Sequence, residues 1–374
     1  MAKNRSLYNA LAVYASQAVN STGTGSHVQI KRSQSVGWSQ EIARTPVQQL
    51  GDLAEIGSIV TSPPTVSVDL SYILTDGAVE KALGFYVQNP GSLGEANFAS
   101  GHAVTSSGIN LYIVEAAEGI DLNSETSLSG KAVVGVGNCF LNNYSVEAAV
   151  GSFPTVTVSF DASNIIADSY YHQGSITGTN SPAVDLVNGQ AFAQNTGVRL
   201  PVPTSGTGPI ALRPGDVSIT WGNLTGSASG LASPLHNLNG TDGVRVQNLS
   251  LSIPLSRTPI EQLGSRFPFA RPVDFPVTAT LSVSAIANEQ VKRNLAAYLD
   301  DTSTNDITVA INQPDGSAAI RYVLRGARFD SESSSIDIGS NRTVDLNFSA
   351  QVGGPNTVSR GIFCSGSNSG SVFS

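Results

Sequence analysis

Charge is scarce in this chain. Of 374 residues only 13 % are Asp, Glu, Lys or Arg, about half the roughly 25 % usual for soluble proteins. Basic residues are the scarcer sign, and they never cluster beyond the pairs Lys31-Arg32 and Lys292-Arg293. With a net charge of −8, the chain lacks the basic footprint of a nucleic-acid binder. Its two cysteines, Cys139 and Cys364, make no disulfide framework and form no CxxC pair. They read as free thiols, which fits folding in a reducing cytoplasm. No apolar run approaches the roughly 20 residues of a membrane-spanning helix. At the start, Asn9 leaves only Ala10–Ala15 continuous, too short for an ordinary signal-peptide core.

Catalytic patterns are also missing. There is no G-x-S-x-G elbow, phosphate-binding loop or HExxH. His27, His102, His172 and His236 are scattered, none with a partner at metal-ligand spacing. Glu115, Glu118 and Asp121 lack the register of a calcium loop, and Asp300–Asp306 lacks its glycine. The expectation is no enzyme, no catalytic residue, no metal and no cofactor, with a solvated acidic loop at Glu115–Gly130.

What the chain does have is a repeat. "ARTPVQQLG" at Ala43–Gly51 returns as "SRTPIEQLG" at Ser256–Gly264. At that offset Ser33–Ile73 lies over Val246–Ile286 without a gap. Asp76–Val87 then matches Asn288–Leu299, and Val150–Phe160 matches Ile338–Phe348. Blocks recurring in one order indicate tandem duplication. The copies differ in charge: residues 1–208 carry −7 and residues 209–374 carry −1.

Most apolar segments alternate with period two, as half-buried strands do. Thr65–Ile73 puts Val66, Val68, Leu70 and Tyr72 on one face, and Thr278–Ile286 does the same with Ala279, Leu281, Val283 and Ala285. Residues 7–19 fit helix or strand; a strand is favoured, because Asp216–Trp221 stands similarly before the second copy. Trp38 and Trp221 sit in strand-like runs and are expected to pack inside. The best helices are 77–87 and 288–300, where Val291, Leu295, Tyr298 and Leu299 share a face. Residues 162–208 and the end of the chain are polar and nearly uncharged. The division expected is a first domain at 1–161, a polar arm at 162–208, a second domain at 209–352 and a polar tail at 353–374.

The nonamer reads as a corner. Thr45-Pro46-Val47-Gln48 and Thr258-Pro259-Ile260-Glu261 are capping boxes with Pro at the first helical position. Gly51 and Gly264 would end a short helix. Arg44 and Arg257 have no part in that motif. Each either braces its own corner or offers a cation to a neighbouring subunit, so Arg44, Thr45, Arg257 and Thr258 are the candidate subunit contacts.

The stretch "QSVGWSQEIARTPVQQLGDLAEIGSIVTSPPTVSVDLSYILTDG" resembles a tail tube protein of long-tailed bacteriophages. So does "LRPGDVSITW" followed by "VQNLSLSIPLSRTPIEQLG…FPVTATLSVSAI". The resemblance is concentrated in residues 33–76 and 212–299. It implies two tandem antiparallel β-sandwich or barrel domains, each with one flanking helix. It also implies homotrimeric, pseudo-sixfold rings stacked into a tube inside a virion tail that is assembled in the host cytoplasm. Other tail proteins would be partners, and genomic DNA would pass through without specific binding. A carbohydrate- or cell-binding β-sandwich is the alternative from another class.

Overall fold

The computed structural model describes residues 11–17, 27–89, 96–100, 108–128, 130–168, 200–204, 217–221, 245–263, 268, 270–287, 304–312, 318–339, 341–354 and 357–366. They are mainly β, in one large antiparallel sheet system. The strands of the first half are β1 (Leu11–Gln17), β2 (Val28–Ile30), β3 (Ser33–Glu41), β4 (Arg44–Val47), β5 (Gly57–Val60), β6 (Thr65–Ile73), β7 (Ile109–Glu115), β8 (Ala132–Ala149), β9 (Thr155–Ala162) and β10 (Asn164–Asp168). Those of the second are β11 (Val217–Trp221), β12 (Arg245–Pro254), β13 (Val277–Ile286), β14 (Asn305–Asn312), β15 (Ala318–Ser335), β16 (Thr343–Val352) and β17 (Gly361–Gly366).

The same arrangement occurs twice. β3-β6-β9-β8 pair in that order, as do β12-β13-β16-β15. A second layer contains β1-β7-β8-β10 in one copy and β11-β14-β15-β17 in the other. The long strands β8 and β15 belong to both layers of their copy. Each changes layer at a left-handed residue, Asn138 (φ 54°) or Gly326 (φ 69°). Asn tolerates this conformation better than most side chains, and Gly adopts it freely. A side chain from the neighbouring strand holds each bend: the Asn138 amide donates to Asn110, and the Gly326 amide to Asp306.

Period-two burial is as expected. Val66, Val68, Leu70 and Tyr72 are buried on β6, and Ala279, Leu281, Val283 and Ala285 on β13. Residues of both copies form one continuous core. A smaller core lies on the far side of β1 and β7, where Leu122, Leu128 and Leu200 cover Tyr14 and Tyr112. The loop at Glu115–Gly130 is thus anchored by two leucines, although Asp121 stays exposed.

Several expectations need correction. The helix at 77–87 shrinks to α1 (Ala78–Ala82); a long helix at this position would compete with the extended run that follows, where the Gln88 amide donates to the Cys364 carbonyl of β17 (2.8 Å). The counterpart at 288–300 lies outside the described residues. β10 and β17 fall in segments read as arm and tail, because each completes the outer layer beside β8 or β15. The strand favoured within residues 7–19 is present as β1, paired with β7 as β11 is with β14. Trp221 is buried, but Trp38 is 39 % exposed because it stands on an edge strand. Both thiols are free and buried.

Candidate assembly surface

The two copies are joined edge to edge. β12 pairs antiparallel with the second half of β8, from Asn248 opposite Ala149 to Pro254 opposite Asn143. The resulting inner sheet runs β3-β6-β9-β8-β12-β13-β16-β15 without interruption. Its core-facing side chains at the seam are well covered: Leu249, Leu251 and Ile253 against Ala148, Val146 and Tyr144, all buried. Hydrogen bonds continue past both ends of the seam, from the Leu255 amide to Asn142 (2.7 Å) and from the Val150 amide to Gln247 (2.9 Å).

The other face of this sheet is polar and small. Ser67 and Ser71 of β6, Thr157 and Ser159 of β9, Ser145 of β8 and Ser252 of β12 follow one another across the register. Serine pairs such as Ser39–Ser67 and Ser35–Ser71 hydrogen-bond at 2.7 Å. The carboxylates of Glu41, Asp69, Glu147, Asp161 and Asp345 outnumber the guanidiniums of Arg245 and Arg328 along its strands.

The repeated nonamer borders this sheet at one end, but it is not a helical corner. Arg44–Val47 is strand β4, hairpinned with β5. In the second copy Arg257 bridges to Val273, and Ile260 to Ala270. The local capping pattern loses to ladder pairing: Thr45 spends its hydroxyl on Thr61 across the hairpin (2.9 Å), and Thr258 donates to Asp274 (2.8 Å). Pro46 is tolerated on this two-stranded edge. Gly51 does adopt a left-handed conformation (φ 98°), at the hairpin turn; Gly264 lies outside the described residues.

Arg257 sits where the copies meet. Its Nε donates to the Leu141 carbonyl of the first copy (3.2 Å) and its Nη1 to the Arg271 carbonyl (2.8 Å). Its guanidinium lies over the Phe140 ring, 5.2 Å from the centroid. Burial first, and Arg271 second, push its pKa down to about 10. Arg44, its counterpart, is exposed on its hairpin. Arg257→Ala should therefore lower stability by about 1–3 kcal/mol, through two orphaned carbonyls and lost stacking. Arg44→Ala should leave the melting of the unassembled chain within about 0.5 kcal/mol. Equal losses in thermal denaturation would contradict this division of roles.

Over the seam the copies also share a buried polar cluster. Tyr72 donates to Glu80 of α1 (2.9 Å), Tyr144 lies 3.4 Å from the same oxygen, and Tyr144 and Tyr322 share a hydrogen bond of 2.7 Å. Tyr322 comes from the second copy's outer layer, which thus closes over the first copy's inner sheet. Burial, chiefly, raises the Glu80 carboxyl to about 7 and pushes the three phenols well up.

Sequence reasoning missed this seam. One signal stands just before a matched block: at the same offset Tyr144, Val146 and Ala148 fall where the second copy has Glu332, Ser334 and Ile336. Apolar residues mark the edge that is covered within the chain; a mixed set marks the edge left uncovered among the described residues. Among the described residues no group of His, Cys, Asp or Glu is arranged to hold a metal ion, and no helix is long and apolar enough to cross a membrane.

No protein-family model matches the chain, and no curated protein does. Among solved structures, a chain from the sixfold-symmetrised cryo-EM structure of the anti-feeding prophage baseplate is similar at 12 % identity and a TM-score of 0.25. The match covers 41 % of this chain and 92 % of that one, a likeness too slight to carry a conclusion.

Proposed function

We propose that this protein is a structural, self-assembling virion component: three chains close a pseudo-sixfold ring, and rings stack into the tail tube through which the genome leaves. The observation that carries this reading is the seam. One half of the inner sheet already adds to the other edge to edge, while β3 and the second half of β15 each end the sheet unpaired among the described residues. A head-to-tail contact either closes or grows without limit, and closure removes exposed edges. Two sheet units per chain make three chains the natural number for six positions.

Ring geometry then assigns the faces. The core-facing side of the inner sheet bears a second layer, and the thicker side of a curved wall lies on the outer circumference. The serine- and threonine-rich face lines the channel. Its excess of carboxylates offers passing DNA few of the cations that grip phosphates. Electron microscopy of the purified protein tests the reading: tubes are expected, and their reconstruction should put Ser67 and Asp69 on the lumen. Monomers that never assemble, or a lumen ringed by unpaired Arg and Lys, would overturn it.

Stacking uses the two ends of the sheet. The hairpins after β3 and β12 leave at the end marked by Glu41 and Pro254; the turns after β8 and β15 leave at the other. Exposed apolar side chains occupy both ends: Leu50, Leu53 and Leu263 on the hairpins, and Val150, Phe153 and Ile338 on the turns. Opposite ends of one sheet are where a head-to-tail contact between like rings must form. The double variant Leu50→Asp with Leu53→Asp should leave single rings intact and abolish tubes in micrographs; tubes of ordinary length would refute this contact.

One observation favours a second reading, a glycan-binding surface protein: Trp38 is partly exposed, as a sugar platform would be. It points to the core side of its strand, opposite Val68. Binding of the unassembled chain to a glycan array, lost in Trp38→Ala, would favour that reading.

A further inference from the structure

We infer that the free edge of β3 pairs antiparallel with β15 of a second copy in one register, the register that the chain's own seam dictates. The inference rests on the ring reading and deepens it by fixing the partner strand and its alignment.

The derivation uses two offsets. β3 and β6, the first two strands of the inner sheet, repeat after 213 residues in β12 and β13, so Leu249, Leu251, Ser252 and Ile253 correspond to Val36, Trp38, Ser39 and Gln40. The other two, β9 and β8, repeat after 188 residues in β16 and β15. That offset aligns the left-handed bends Asn138 and Gly326. It also aligns the pairs Leu141–Phe160 and Phe329–Phe348, and the bulges that follow them. Tyr144, Ser145, Val146 and Ala148 therefore correspond to Glu332, Ser333, Ser334 and Ile336.

Transferring the seam gives Val36 opposite Ile336, Trp38 opposite Ser334, Ser39 opposite Ser333 and Gln40 opposite Glu332. Each combination is physically apt. Val and Ile are apolar neighbours, the large indole meets a small serine, and the Gln amide can donate to the Glu carboxylate. Across antiparallel strands such opposite pairs are the stabilising unit. A slip of one residue would set Glu41 against Glu332, like charge against like, and turn every side chain to the wrong face. The seam's Arg257 stacking is not carried over, because Arg328 stands where Phe140 does.

The edges also look made for a partner that must be exact. Glu332 on the core-facing side discourages indiscriminate strand addition, as inward charges on free edges do. The partner that suits it presents Gln40.

Disulfide trapping tests the register. In the seam, hydrogen bonds at Leu255–Asn142 and Val150–Gln247 make every second pair the closely spaced, non-bonded kind. Ser252–Ser145 is one of these, and so is its counterpart Ser39–Ser333. Such pairs have Cα atoms about 4.5 Å apart, within disulfide range. The native Cys139 and Cys364 are buried and leave little background. The full-length double variant S39C/S333C, assembled and mildly oxidised, should run as covalent dimers and trimers on a non-reducing gel. S39C/S335C should cross-link at least tenfold more slowly, and each single variant not at all. Rings that form without the S39C/S333C cross-link, or that favour S39C/S335C, would overturn the register and leave the ring reading standing. A wild-type chain that stays monomeric would overturn the ring reading itself. Should the double variant not assemble, amide exchange of wild-type rings decides: the Trp38 and Gln40 amides must become protected relative to the unassembled chain, and unchanged exchange there rejects the pairing.

Discussion

Gln40→Pro is expected to abolish ring formation and leave the chain folded. Backbone groups along an antiparallel edge strand alternate between its two sides. In the seam the amides of Leu251 and Ile253 point toward β8, in phase with Leu255, whose amide bonds Asn142. Their counterparts Trp38 and Gln40 therefore point to the open edge, while Ser39 faces β6, where it pairs with Ser67. Proline at Gln40 removes a donor that has no ladder partner among the described residues and puts a ring in the path of a neighbour. Melting should shift by less than about 1 kcal/mol, and sedimentation should show monomers only. Ser39→Pro is the opposite case: it breaks the ladder to β6 and should cost about 3 kcal/mol of stability. Normal rings from Gln40→Pro would mean that β3 is not an assembly edge.

The second large effect is on pH. Glu80 is buried under Tyr72 and Tyr144, with Asp76 nearby and Tyr322 one hydrogen bond further on, and its carboxyl is raised from 4.5 to about 7. As pH rises from 4.5, the unfolded chain releases this proton first, and the folded chain holds it until about 7. The folded state binds the extra proton throughout that window, so stability is full below it and falls as pH rises through it. The loss is on the order of 3 kcal/mol. Glu80→Gln cannot ionise, so its stability relative to wild type should climb by that order between pH 4.5 and 8. Denaturant titrations at both pH values read the difference, in which other titrating groups largely cancel. Parallel curves for the two proteins would show that Glu80 ionises freely in the fold. Because Tyr322 belongs to the second copy and Tyr72 and Tyr144 to the first, this cluster also reports on how firmly the two are locked.

The strands were legible because burial on a sheet face writes itself as alternation: Val66, Val68, Leu70 and Tyr72 could be read directly. The duplication was legible because the framework residues of β3, β6 and β9 recur in β12, β13 and β16. The nonamer was misread because a capping box is a local pattern, and Thr45, Pro46 and Gln48 satisfy it without any apolar helical face to bury. Leu50 and Leu53 look like that face but lie in solvent. The seam was illegible for a different reason. Pairing of β8 with β12 joins residues about a hundred positions apart, and nothing in either strand names the other. A tryptophan in a strand usually packs inside; the partial exposure of Trp38 follows from its strand standing at an edge. Arg257 stands outside the local capping motif in the sequence, but its carbonyl partner, Leu141, is 116 positions away and visible only in space.

Native mass spectrometry of assembled rings tests the central claim most directly. A ring of three chains, three times 38.7 kDa, is what two edge-joined sheet units per chain require. Six chains per ring, or only monomers where rings should form, would contradict it.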